Sequence, residues 1–251
     1  MAQANERRFT HTYESAVLPA GAWELEPWVT LRAGRSSFYS RFDYRLEYEV
    51  GVTDRLLTAF YLNWNRITQA DPANQGQSVT EQNFKGLSWE LKYKVLDPSA
   101  DPLGLALYQE YTVNSDEFEW ESKLILDKRI GDNLIAYNAV AEAEWGLSPG
   151  EREYAVTLEN VLGATHLFTP AFAAGLELKN PNLKTRTSTG LASSALFFGP
   201  VASYARKNWW LALTVLRQLP ALQRSEGRPD DSLVLDTREK LNVRLIGALR
   251  F

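Results

Sequence analysis

Titratable side chains in this chain recur two residues apart instead of gathering into one cluster. Glu24 and Glu26, then Asp43, Arg45, Glu47 and Glu49, each keep one parity within their stretch. So do Glu90, Lys92 and Lys94, then Glu119, Glu121 and Lys123, and then Glu142 and Glu144. Glu110, Asp127, Glu159 and Glu177 add single acids, and Arg32, Arg129, Lys179, Arg244 and Arg250 add single bases, giving fourteen acids against nine bases. Residues two apart in an extended strand point to the same side. The pattern therefore predicts one face lined with charge and rich in carboxylates. Two readings follow. A water-filled, acid-rich lining passes cations or small polar solutes. A sealed interior pairs its charges, because unpaired charge in a confined space is costly.

Catalytic readings are weaker. Glu119/Glu121 and Glu142/Glu144 approach the separations that glycosidases use, but repeated charge on alternate positions explains them more simply. The two histidines, His11 in a polar leader and His166 near a strand end, do not fall where a Ser–His pair would act. Cysteine is absent, which removes thiolate nucleophiles, disulfides and Cys-ligated metals. No metal-ligand spacing stands out from the alternation, and no glycine-rich phosphate loop is present. The sequence thus predicts no enzyme, cofactor or metal centre.

The elements that must carry these charges are strands. Phe42, Tyr44, Leu46, Tyr48 and Val50 alternate with Asp43, Arg45, Glu47 and Glu49. Leu87, Trp89, Leu91, Tyr93 and Val95 alternate with Ser88, Glu90, Lys92 and Lys94. About twelve such segments recur, near 22–33, 39–51, 56–67, 83–96, 103–113, 117–129, 134–146, 151–165, 171–179, 190–204, 208–218 and 239–251. Turn chemistry marks Val52–Asp54, Gly131–Asn133 and Thr169–Pro170, after even-numbered strands. The long connections Gln69–Gln82, Asn180–Ser188 and Pro220–Asp236 follow odd-numbered ones. On the apolar parity, Trp23, Tyr48, Tyr93, Trp209 and Phe251 fall toward the rim with the tight turns. Trp64, Trp89, Trp120 and Trp145 fall toward the other rim, with aliphatic residues between. Two aromatic belts around an aliphatic band are what a bilayer of fixed thickness selects.

Composition agrees. The chain has 251 residues and is 45% hydrophobic, yet its mean hydropathy is −0.31. No run approaches the roughly 18 apolar residues of a membrane helix, so spanning requires a closed barrel. A net charge of −4 argues against nucleic acid as a partner. Ala2-Gln3-Ala4 reads like the remnant of a small-residue cleavage site.

The last strand sharpens this. In KLNVRLIGALRF, Leu241, Val243, Leu245, Leu249 and Phe251 share one parity, and Asn242, Arg244 and Arg250 the other. The stretch resembles the C-terminal assembly signal of bacterial outer-membrane β-barrels. Arg244, Leu249 and Phe251 match its spacing, while Ile246 stands where glycine is usual. The resemblance implies an all-β, antiparallel up-and-down transmembrane barrel of about twelve strands over residues 22–251, with both termini periplasmic. It also implies an outer-membrane location, contact with lipid and lipopolysaccharide, and assembly-machinery recognition through the last strand. The expected role is a porin-like, weakly cation-selective channel for ions or small polar solutes. The alternative is a sealed barrel whose outer loops bind a partner. Residues 1–21 form a leader that is either a plug or a disordered tail. For a plug, Arg7 and Arg8 are expected to meet luminal carboxylates.

Overall fold

The structure is a computed structural model and describes residues 6–74, 76–147, 154–226, 228 and 230–251. Ala2-Gln3-Ala4 and the start of the segment expected at 151 lie outside them. The strands are β1 (Trp23–Ala33), β2 (Tyr39–Gly51), β3 (Leu56–Ala70), β4 (Ser78–Leu96), β5 (Gly104–Val113) and β6 (Glu117–Ile130). There follow β7 (Asn133–Gly146), β8 (Tyr154–Thr169), β9 (Phe172–Thr185), β10 (Ser193–Arg206), β11 (Trp209–Gln223) and β12 (Leu241–Arg250). Each pairs antiparallel with the next, and β12 pairs back onto β1 to close the barrel. Thr30 stands opposite Arg244, and Leu25 opposite Leu249. The start of β1 meets the final residue at this seam, where the Trp23 and Phe251 rings stack 4.2 Å apart.

Alternation sorts the two faces. Leu107, Leu124, Ile135, Leu158, Leu162, Leu211 and Leu245 stand more than two-fifths exposed on the outside. So do Tyr48, Trp89, Tyr93 and Trp120, and Trp64 is two-fifths exposed. A closed barrel with a continuous apolar exterior belongs in a bilayer. Trp23, Tyr48, Tyr93, Trp209 and Phe251 lie near the rim holding both termini. Trp64, Trp120 and Trp145 lie toward the opposite one. Trp89 sits nearer the Leu96 end of β4, because that strand begins at Ser78 instead of near residue 83.

The longer strands are the main departure from expectation: β3, β4, β9 and β11 extend toward the rim away from the termini, while β8 runs on to Thr169 at the terminal rim. β3 and β4 extend until Gln69–Gln82 shrinks to a turn over 71–77, and β9 runs to Thr185. β11 runs through Pro220 to Gln223. A bulge at Asn63/Trp64 reverses parity along β4, with Gly86 at φ 101. That reversal hid the start of β4 from period-two reading.

Candidate functional site

Inside the barrel, register assembles what sequence spacing leaves apart. Glu24 stands opposite Glu49, and Glu26 opposite Glu47, on β1 and β2. Glu90, Glu110, Glu121 and Glu142 stand opposite one another in turn across β4, β5, β6 and β7. Through Ala59, Glu24 and Glu49 join the second group in one in-register row, while Glu26 and Glu47 lie in the next row, through Tyr61. Because barrel strands tilt, such a row climbs the wall. Carboxylates therefore run obliquely from the terminal rim, at Glu24, toward the opposite half, at Glu142.

That opposite half encloses a cavity of ≈ 510 Å³ that reaches the rim at Arg35, Lys85 and Arg238. Its charged lining is even. Asp43, Glu110, Glu117, Glu119, Glu121, Glu142, Glu144, Glu159 and Glu239 meet Arg32, Arg35, Arg41, Arg45, Lys85, Lys123, Lys179, Arg238 and Arg244. The fourteen-to-nine excess of acids expected from alternation is absent from this vestibule. Its charge is also segregated. Arg32, Arg41, Arg45 and Arg244 rise from β1, β2 and β12, and Glu117, Glu119, Glu121, Glu142, Glu144 and Glu159 from β6, β7 and β8, half a barrel away. Asp43 bridges Arg32 at 2.9 Å and Arg41 at 2.6 Å, and Arg45 holds Glu110 at 2.9 Å. Lys123 meets Glu121 at 2.7 Å and Lys179 meets Glu159 at 2.9 Å. Among the described residues, Glu119, Glu142 and Glu144 have no cation within 4.0 Å.

Arg41 shares the parity of Asp43 and was readable from it. Lys85 sits at the bulge, and Arg35, Arg238 and Glu239 lie in connections, where alternation carries no information. The connection of residues 224–240 folds into the mouth. Val234 is fully buried against Ala195, Phe197 and Leu216. Its N–H donates to Gln218 at 2.6 Å, and Arg35 clamps Glu239.

The other half of the lumen is filled by the leader. Residues 6–20 enter and leave by the terminal rim: Arg250 holds Glu6 at 3.1 Å, and the Ala20 N–H donates to Asp54 at 3.1 Å. At the deepest point, the backbone N–H groups of Thr10, His11 and Thr12 converge on the Glu177 carboxylate at 3.3, 3.0 and 2.7 Å. The Thr12 and Thr214 hydroxyls donate to it as well. Tyr13 exchanges backbone bonds with the Asn138 amide at 2.6 and 3.0 Å. Phe9 packs on Leu134, Ala136 and Val201, while Val17 and Leu18 pack on Leu57, Ala59 and Tyr61. Inward glycines fit this path. A Cβ on Gly163 would lie 2.5 Å from the Phe9 ring, and those on Gly51 and Gly104 would strike Pro19 and Ser15. Arg7 stacks on Tyr13 and Trp28, its guanidinium 4.0 Å from Glu26. Arg8 instead reaches the Asp132 carbonyl at the rim.

Burial, reinforced by Arg244, Lys179 and Arg32, holds the His11 imidazole well below the usual histidine range. Burial pushes the Tyr13 phenol up to about 12. His166 sits outside, bonded to Asn133 at 3.0 Å and edge-on to Phe168. Among the described residues, neither histidine shares a hydrogen bond with a hydroxyl.

The whole chain, residues 1–251, matches one family description, a family of unknown function (DUF6662). The chain belongs to that family. No curated protein matches its sequence. Among solved structures it is similar to the COG4313 outer membrane channel from Pseudomonas putida F1, with 13% identity and a TM-score of 0.67, covering 97% of this chain and 100% of that one. It is also similar to the NanC porin, with 12% identity and a TM-score of 0.55, covering 90% and 98%. A third similarity is to the β domain of the Bordetella autotransporter BrkA, with 13% identity and a TM-score of 0.56, covering 92% and 100%. At these identities the likeness establishes the fold, that of bacterial outer-membrane β-barrels. Channels and an autotransporter domain share it, so function must come from the lumen.

Proposed function

We propose that this DUF6662 member is a channel of the outer membrane for small polar solutes and cations, and that its leader is the plug that closes it. The carrying observation is the charged vestibule of ≈ 510 Å³, whose floor includes His11 and Tyr13 of the leader. Below that floor the inner wall stays polar, through Glu90, Glu49 and Glu24. Remove the leader, and a lined path joins the two rims. A weak cation preference follows from Glu119, Glu142 and Glu144, which have no ion-pair partner among the described residues.

The short turns after β2, β6, β8 and β10 support a periplasmic terminal rim, with the longer connections outside. In that orientation the apolar belt meets phospholipid and lipopolysaccharide, and β12 is the strand offered to the assembly machinery.

Planar-bilayer recording of the refolded protein, with and without residues 1–20, tests the reading. Low conductance in the full chain and discrete cation-favouring steps in the truncated one are expected. The rival reading is a permanently sealed barrel, favoured by the glycine-matched fit of the leader. Silence in both forms establishes it and sinks the channel.

A further inference from the structure

The register of β1 and β2 produces a group that neither alternation nor the channel reading requires. Glu24, Glu26 and Glu49 are buried, and one carboxylate oxygen from each lies within 4.8 Å of the others. Glu47, 1% exposed and opposite Glu26, adjoins Glu49. Like charges directly opposite in a sheet repel. Arg7, Lys92 and Arg250 approach these carboxylates and the adjoining Glu90, while Arg45 and Lys123 stand beyond them, already paired with Glu110 and Glu121.

Hydrogen bonding is incomplete. Glu26 Oε1 and Glu47 Oε2 are buried without partners, and so is Arg7 Nε. Arg250 and the Trp210 indole hold Glu24 firmly, and the Trp28 indole holds Glu26 at 3.2 Å. Arg7 is the poor fit, no nearer than 4.0 Å to Glu26. A void of ≈ 10 Å³ touches both Arg7 and Glu49, about the space of one water-sized sphere.

We infer that the Glu24, Glu26, Glu47 and Glu49 carboxylates form a binding site for a divalent cation, and that Arg7 of the leader is the tethered cation competing for it. Hard, oxygen-only ligands from flexible glutamates suit calcium best. A doubly charged ion would relieve the repulsion between facing carboxylates and satisfy the orphaned oxygens together. Its entry would displace the Arg7 guanidinium, which among the described residues meets the wall through this cluster and the Trp28 face, its contacts with the Thr10 carbonyl and the Tyr13 ring lying within the leader. The site thus couples a ligand to the position of the leader, and it can be assayed whether or not the barrel conducts.

The two indoles beside the carboxylates supply the readout. Terbium, a calcium-sized probe, bound here would be excited through Trp28 and Trp210. Refolded full-length protein is expected to give saturable tryptophan-sensitised terbium emission that calcium displaces. Combining Glu26→Gln with Glu49→Gln should weaken binding at least tenfold, and Arg7→Gln should tighten it about tenfold by removing the competitor. Absence of sensitised emission overturns the site, as does saturation that the glutamine pair leaves unchanged. An unchanged affinity in Arg7→Gln overturns the competition, and that substitution alters no strand, so this arm survives if the glutamine pair fails to fold.

Discussion

The two halves of the lumen are built from the same strands and the same alternating code, yet one is filled and the other hollow. On the terminal side, the leader brings Phe9, Val17 and Leu18 to apolar wall positions and satisfies Glu177 with three backbone N–H groups. On the opposite side, the connection after β11 presses Val234 into the wall and leaves a vestibule beside it. The difference teaches that occupancy, not barrel size, divides the lumen. Where small inward residues such as Gly51, Gly104 and Gly163 leave room, chain fills it. Where long charged residues line the wall, they hold solvent space.

Deleting residues 1–20 should break the contrast most completely, turning the filled half hollow. Single-channel recording should then register steps that the full chain lacks. Glu177→Gln comes next. It removes the charge from a carboxylate accepting five hydrogen bonds, each bond to a charged group being worth about 1.5–3 kcal/mol. Loss of one such increment should raise open probability roughly tenfold to a hundredfold. Gly163→Val drives a methyl into the Phe9 ring, an overpacking of about 1–3 kcal/mol. Its effect should resemble that of Glu177→Gln in openings while circular dichroism stays barrel-like.

Acidity gives a smaller handle. His11 has a lowered pKa when docked, so the released leader binds a proton more tightly. Release is therefore favoured as pH falls below about 6.5, by at most about tenfold per unit, until the docked pKa is reached. Glu14, raised mainly by burial, acts in the opposite sense. The comparison of wild type with His11→Gln across pH 7 to 5 isolates the histidine. A ratio that stays flat with pH removes His11 from the plug's energetics. The smallest effect is expected in the vestibule. Glu142→Gln with Glu144→Gln, in the leaderless barrel, should move the reversal potential a few millivolts toward zero.

Much of this architecture was legible beforehand. The twelve strands, the two faces and the inward position of Tyr61, Tyr108, Phe197 and Trp210 follow from a period of two. Trp28 is the instructive miss. It lies between Pro27 and Val29 on the charged parity, where an indole looks misplaced. Only the structure shows Arg7, Arg45 and Arg244 around its ring. Alternation assigns a face to each residue but says nothing of register, which depends on turn lengths and bulges. Hence Glu24 and Glu49 were each known to point inward, but not to stand opposite one another. The path of the leader was illegible for another reason. Its deepest contacts lie more than a hundred positions away along the chain, as in Glu14–Arg129 and Thr10–Glu177. No local pattern encodes them.

The stack of Trp23 on Phe251 joins the chain's first strand to its final residue. Most of the sequence must therefore be in place before the wall is continuous, a pairing of the non-local kind that forms slowly. The sockets for the leader lie on β2, β5 and β8, and its clamp lies on β9. β8 and β9 form one hairpin, with Gly163 opposite Glu177, whereas β5 and β2 lie three and six strands away from β8 along the sheet. The full set faces one lumen only once the sheet has curled, and docking of residues 6–20 is expected to follow that closure.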